Sequence, residues 1–338
     1  MPHLCPREFR GGMNRRTLAW VILSQVPGAG AVTLRRLASR FGSPEQALDA
    51  PPEELMAIGG LSAAQAEGLH SLAAHLARIE HLAARLEQGG ARFLTLDGPD
   101  YPANLRDWRD APPLLYVRGT LLPSDDVAVA VIGTRTPSRT GAACAHDIAQ
   151  AIAARGVTVV SGLALGIDAA AHRGALAARR EPSASPGAEA SSPVAAGRTI
   201  AVLGSGIDRV TPQRHRALAE EIVRSGALVA EVPPGTAAGR ETLLARNRIQ
   251  AGLAKAVIVA QCRNRGGSYT TAKRALAAGR PVFAVAWDEP DFAAGVERLA
   301  GMGARVVSAD EAVGLAIDAA FKPLPPMAQG EMPTENGT

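Results

Sequence analysis

From Val127 onward the chain alternates short, continuously apolar segments with helical stretches: "VAVAVIG", "VTVVSG", "TIAVLGSG", "ALVAEV", "AVIVAQ", "PVFAV" and "ARVVS". A strand apolar at every position is covered on both faces, and a crossover between parallel strands has to be long enough to hold a helix. This pattern points to an α/β fold, an extended Rossmann-like, doubly wound and mostly parallel sheet. In such a sheet ligands bind beyond the carboxyl ends of the strands, so function is to be sought in the loops that follow them.

The 338 residues suffice for this domain and a smaller one. Helical periodicity runs from Arg16 to about Gln88. Within it, "VPGAGAVTLRRLASRFGSPEQAL" and "IGGLSAAQAEGLHSL" each place a glycine turn before a helix, the outline of a helix-hairpin-helix repeat. The expected organisation is a small N-terminal helical domain (helix-hairpin-helix or SAM-like) over 15–90, a connector with short strands over 91–123, and the Rossmann-like domain over 124–320. A disordered leader is expected over 1–14. The Ser-, Pro- and Gly-rich segment 179–197 reads as a flexible insertion, and the Pro-rich 321–338 as a disordered tail.

Composition narrows the partners. No apolar run reaches the roughly 18 residues a membrane span needs, so no membrane partner and a cytoplasmic location are expected. Cys5, Cys144 and Cys262 are too few and too scattered for a disulfide framework or a zinc site, and neither metal nor cofactor is expected. The net charge of +4 and pI near 9.3 are compatible with an anionic partner, but position has to decide.

The post-strand loops are rich in arginine. Between Gly133 and Gly141 a dinucleotide loop would carry further glycines; Thr134, Arg135, Ser138 and Arg139 stand there instead. Backbone N–H groups around Gly133, with Arg135, suit phosphates. Ser161 and Gly162, then Gly204 and Ser205, follow strands without forming G-x-S-x-G, which favours anion binding over a nucleophile. Later loops bring Arg209, Gln213 and Arg214, then Arg240, Arg246, Asn247 and Arg248, then Arg263, Arg265, Gly267 and Ser268. Together they suggest a polyanion groove. Asp168 and His172 lie four apart on one helix, but Asp168 reads as an N-cap and His172 as a buried hydrogen-bonding group, with no third catalytic partner in sequence.

These blocks resemble a known family. Gly133-Thr134-Arg135, "SGLALGIDAAAHRGAL", "TIAVLGSGID", "EVPPG", "RNRIQAGLA" and "GGSYTTAKRALAAGRPVFAV" stand in the order and spacing of the DNA processing protein A (DprA/Smf) family, from roughly Arg16 to Ala316. The resemblance implies a homodimeric, non-enzymatic recombination mediator that binds single-stranded DNA, protects it and loads the RecA recombinase during natural transformation. It assigns DNA contacts to Arg135, Arg246 and Arg248, with Arg240 just upstream. Departures from the family pattern are Leu165 for a basic residue, Thr211 for the Tyr of Y-P, Leu243 for a phenylalanine before R-N-R, and Gln261 for a strand-end Glu. The loss of that phenylalanine removes a base-stacking platform. The family's optional winged-helix domain is not expected in the stretch after Ala316, and the stretch from "PVFAVAW" to "VERLAGMGARVV" is a candidate dimer surface.

The competing reading is a LOG-like nucleoside-monophosphate phosphoribohydrolase of the lysine-decarboxylase-like Rossmann family. Its G-G-x-G-T-x-x-E has its nearest match in "GGSYTTAK" from Gly266, but Lys273 stands where the catalytic carboxylate belongs, and a cation cannot stabilise an oxocarbenium ion. A purely structural module would leave the arginines without a role, and no G-x-x-x-x-G-K-[ST] supports ATP chemistry.

Overall fold

The computed structural model describes residues 14–26, 28–57, 61–73, 84–178 and 197–324. The expected leader, insertion and tail, and the turn of the second N-terminal hairpin, fall almost entirely outside these residues. Among the described residues nine strands form one sheet: β1 (Ala91–Thr95), β2 (Leu114–Gly119), β3 (Ala128–Gly133), β4 (Thr158–Ser161), β5 (Thr199–Leu203), β6 (Ala227–Ala230), β7 (Ala256–Gln261), β8 (Val282–Val285) and β9 (Arg305–Val307), in the order β1-β2-β6-β5-β4-β3-β7-β8-β9. From β6 to β9 every neighbouring pair is parallel. The chain starts at the centre with β3, winds outward through β4, β5 and β6, then crosses back to lay β7 on the other side of β3. The switch point of this doubly wound sheet therefore lies between β3 and β7.

The connector strands belong to the same sheet. β1 pairs antiparallel with β2, and β2 antiparallel with β6, so 91–123 extends the main sheet rather than merely leading to it.

Among the described residues the helices α1 (Arg15–Ser24), α2 (Ala31–Phe41), α3 (Pro44–Asp49), α4 (Pro52–Ala57) and α5 (Ala63–Ala73), with a further helical stretch at 84–88, precede the sheet. Their apolar faces share one core with Tyr116, Leu203, Leu218 and Leu228. In the main domain the helices are α6 (Arg139–Ala154), α7 (Ile167–Ala177), α8 (Arg216–Ser225), α9 (Arg240–Leu253), α10 (Gly267–Ala277), α11 (Pro290–Gly301) and α12 (Ala309–Phe321). Alternation along β3 divides the sheet faces: Val129 and Val131 pack with α6, α7 and α12, whereas Ala130 and Ile132 face the side of α9 and α10. Among the described residues no helix is long and apolar enough to cross a membrane.

Two buried arginines fix the framework. Arg198 donates to both carboxylate oxygens of Asp125 (2.5 and 2.6 Å), which also accepts from Thr158 Oγ1 at 2.8 Å. Arg280 closes the C-terminal end of α9, donating to the carbonyls of Ala251 (2.6 Å), Gly252 (2.7 Å) and Ala254 while stacking on Trp108 at 4.7 Å. The carbonyl end of a helix attracts a cation, but burial still lowers the Arg280 pKa to about 9. With its far end held there, α9 presents its N-terminus at the switch point.

Candidate functional site

A cleft of ≈ 590 Å³ opens at the carboxyl edge of β3 and β7, bounded by the loops after these strands and by the first turns of α9 and α10. Among the described residues five arginines line it, Arg135, Arg240, Arg246, Arg263 and Arg265, against one carboxylate, Asp168. Neither Gly239 nor Gly266, the N-caps of α9 and α10, supplies a capping side chain, so both helices direct the positive ends of their dipoles at the same space.

The arginines divide by burial. Arg246 is buried and engaged: it donates to the carbonyls of Gly162 (2.7 Å) and Val202 and to Asn247 Oδ1 (3.0 Å), and stands 3.8 Å from Asp168. Burial raises the Asp168 pKa and the Arg246 guanidinium draws it back down. Arg135, Arg240 and Arg265 are exposed, with no hydrogen bond or ion pair from their side chains to another described residue. Arg263 is exposed but engaged, paired with Asp291 and lying 5.1 Å from the Phe292 ring centroid.

The loop from Gly133 to Gly141 is shaped by Gln261. Thr134 N donates to the Gln261 carbonyl at 2.8 Å, Ser138 N donates to its Oε1 at 2.9 Å, and its Nε2 donates to Ser138 Oγ at 2.9 Å. Ser138 in turn caps α6 by accepting from Gly141 N. The amides of Thr134 and Ser138 are thus committed inside the protein. This corrects the expectation that N–H groups around Gly133 form the anion site: those two amides point into the protein, and the exposed Arg135 side chain is the loop's charged group at the cleft.

A second correction concerns Arg246 and Arg248. Residues two apart on an α-helix are turned by about 200°. Arg248 accordingly leaves the cleft, forks onto Glu231 (2.5 and 2.7 Å) and approaches Asp110 at 3.2 Å, beside a separate cavity of ≈ 450 Å³ shared with Gly30 and Val32 of the first N-terminal hairpin. The pair does not form one surface with Arg135.

Gly133, Thr134, Arg135, Arg240, Arg246, Asn247, Gly267 and Ser268 do come together in the cleft. Four other sequence-read residues are packing elements. Ser161 Oγ donates to Val131 O at 2.7 Å, Ser205 Oγ donates to Arg209 O at 2.5 Å, a Cβ on Gly162 would strike the Arg246 guanidinium, and Gly204 lies against Leu243. Arg139, Gln213 and Arg214 are exposed but do not line the cleft. Leu243 and Leu244, near the start of α9, and Gln250, in its last turns, line it and were not singled out as contacts; their signal was only their place on α9.

Asp168 and His172 support this rim from below. Gly166, not Asp168, is the N-cap of α7; Asp168 sits in the first turn and accepts from Ala164 N at 3.4 Å. Leu163 is the one described non-glycine residue with positive φ, +55°. Two imidazoles hold it there: His172 Nε2 accepts from Leu163 N (3.3 Å), and His215 Nδ1 donates to Leu163 O (2.8 Å). His172 Nδ1 then donates to Thr199 Oγ1 at 2.8 Å. Burial lowers the His172 pKa to about 3. The folded state therefore resists a proton that the unfolded chain accepts near pH 6.5. The stability is present in full above that pH and is lost as pH falls towards 3, by about 2 kcal/mol at pH 5 from this residue. Urea unfolding of His172→Gln is expected to show lower stability at pH 7 but a flatter decline to pH 5; an unchanged slope would remove His172 as its source.

Fold and site together define a doubly wound α/β protein with a cationic cleft at its switch point. The family model for DNA recombination-mediator protein A matches residues 92–316, and the chain belongs to that family. It is 36% identical over 300 residues to Protein Smf of Synechocystis sp., covering 87% of this chain and 71% of that protein. With DNA processing protein DprA of Streptococcus pneumoniae it shares 36% identity over 214 residues, 63% of this chain and 70% of the relative. The X-ray structure of the Streptococcus pneumoniae protein superposes with a TM-score of 0.69 at 27% identity, over 88% of this chain and 97% of that one. DNA processing protein A from Helicobacter pylori, for which a single-stranded DNA binding mode is described, shares the fold with a TM-score of 0.56 at 24% identity, over 67% of this chain and 96% of that one.

Proposed function

We propose that this protein is a cytoplasmic, homodimeric single-stranded DNA-binding mediator that protects incoming DNA and loads a RecA-type recombinase during natural transformation, and that it catalyses no reaction. The observation that carries the DNA reading is the switch-point cleft, where three arginines without a side-chain partner among the described residues and the N-termini of two helices converge. Family membership supports the mediator role. Recombinase loading and dimer formation rest on that kinship.

The cleft also argues against the hydrolase. Its one carboxylate, Asp168, is buried beside Arg246, while Lys273 is exposed on α10 and outside the lining. Among the described residues no free carboxylate lines the cleft to stabilise an oxocarbenium ion. Incubation with nucleoside monophosphates is the check: steady base release would reinstate the enzyme.

The decisive experiment is a salt titration of binding to single-stranded and duplex oligonucleotides. Affinity for the single strand is expected to be higher and to fall steeply with salt as counterions are released. Arg135→Ala should weaken binding by about 1–3 kcal/mol and reduce the salt slope by about one contact. Tighter duplex binding, or a constant insensitive to salt, would overturn this reading.

A further inference from the structure

Among the described residues no aromatic side chain lines the cleft. A strand held there has its phosphates met by cations, but its bases have no ring to stack on, and base stacking is a large part of sequence-tolerant single-strand binding. A guanidinium plane can take the place of a ring if it is held flat with one face open. Arg246 cannot serve, being buried and held by hydrogen bonds to two backbone carbonyls and Asn247. Arg135, Arg240 and Arg265 are unrestrained, so stacking on them would have to order a flexible side chain first.

Arg263 differs from all four. Phe292, itself buried, lies under its guanidinium at 5.1 Å, and the Asp291 carboxylate pairs with its Nη1. The side chain nevertheless keeps 45% of its surface exposed and lines the cleft. The loop that carries it is fastened at the next residue, where Arg298 donates to Asn264 O at 2.6 Å while stacking on Tyr269 at 4.7 Å. Its charge is already offset by Asp291, which weakens its pull on a phosphate. What remains on offer is an oriented planar face.

We propose that Arg263, seated on Phe292 and restrained by Asp291, is a nucleobase-stacking platform of the cleft, distinct in role from the phosphate-contacting Arg135, Arg240 and Arg265. This rests on the single-stranded DNA reading above, and it predicts an affinity component that depends on bases rather than on backbone charge.

The test compares a dT oligonucleotide with an abasic strand of equal length, which keeps the phosphates and lacks the bases, for wild type and Arg263→Lys. Lysine preserves the charge and removes the plane. Wild type is expected to prefer the dT strand, and Arg263→Lys to lose about fivefold or more on dT, in the range of one stacked base, with wild-type affinity for the abasic strand and an unchanged salt slope. The residue is exposed, so the melting temperature should stay that of wild type. Equal wild-type binding to both strands, a variant that keeps the full preference for dT, or one that weakens on both strands alike would overturn the platform while leaving the cleft as a phosphate site. Failure of the wild type to bind either strand would instead remove the single-stranded DNA reading itself.

Discussion

Arg246→Leu is expected to lower folding stability by about 3–5 kcal/mol, the range found when one partner of a buried ion pair is removed. Three losses coincide at this substitution. The carbonyls of Gly162 and Val202 lose their donor, Asn247 Oδ1 loses the Nε contact, and Asp168 is left buried without its counter-charge. Since burial already raises the Asp168 pKa, removing Arg246 should push the carboxyl further towards its neutral form. Arg246→Lys keeps the charge but cannot reach two carbonyls and a carboxylate from one planar fork, so it should fall between wild type and leucine. Urea unfolding at pH 7 measures the loss. A double variant with Asp168→Leu should recover part of it, because the stranded charge goes too, and the coupling energy identifies the pair. Stability within about 1 kcal/mol of wild type for Arg246→Leu would mean the arginine does not brace the strand ends.

The contrast between Arg246 and Arg135 marks where the sequence was legible. The seven apolar segments after Val127 all became strands, because burial on both faces writes itself into every residue of a strand. The switch point could be anticipated as the place where their loops meet, and the cleft gathered half of the residues read as contacts. Two things stayed hidden. The first was the membership of β1 and β2 in the main sheet: antiparallel pairing such as Tyr116 with Ala230 joins residues more than a hundred positions apart, and nothing local encodes it. The second was which arginines are inside. From Arg246 to Leu253 every residue of α9 is buried, polar ones included, because the helix is enclosed between the sheet and the connector residues Leu105 and Trp108. The partners of Arg246 and Arg280 are largely backbone carbonyls, which every residue possesses and no side-chain pattern announces. Gln261 is hidden in the same way: its amide latches a loop whose residues gave no sign of needing one.

Removing the three unpartnered arginines together, Arg135→Ala with Arg240→Ala and Arg265→Ala, is expected to have the largest effect on binding. If each contacts a phosphate at roughly 1–3 kcal/mol, the triple variant should lose on the order of a thousandfold in single-strand affinity at low salt. The slope of log affinity against log salt should flatten by about 2, as three contacts at roughly 0.7 each imply for a single strand. All three side chains are exposed and unpartnered among the described residues, so folding stability should change by no more than about 0.5 kcal/mol, unlike that of Arg246→Leu. The net charge of +4 offers a rival explanation, in which any three arginines would serve equally. Arg139 and Arg214 separate the two accounts, since both are exposed yet lie outside the cleft lining. A variant with Arg139→Ala, Arg214→Ala and Arg155→Ala, the last exposed at the C-terminal end of α6, carries the same charge change, and on the cleft account it should keep nearly the wild-type slope. If the two triple variants instead weaken binding alike, the strand is held by diffuse surface charge, and the switch-point cleft is not the site.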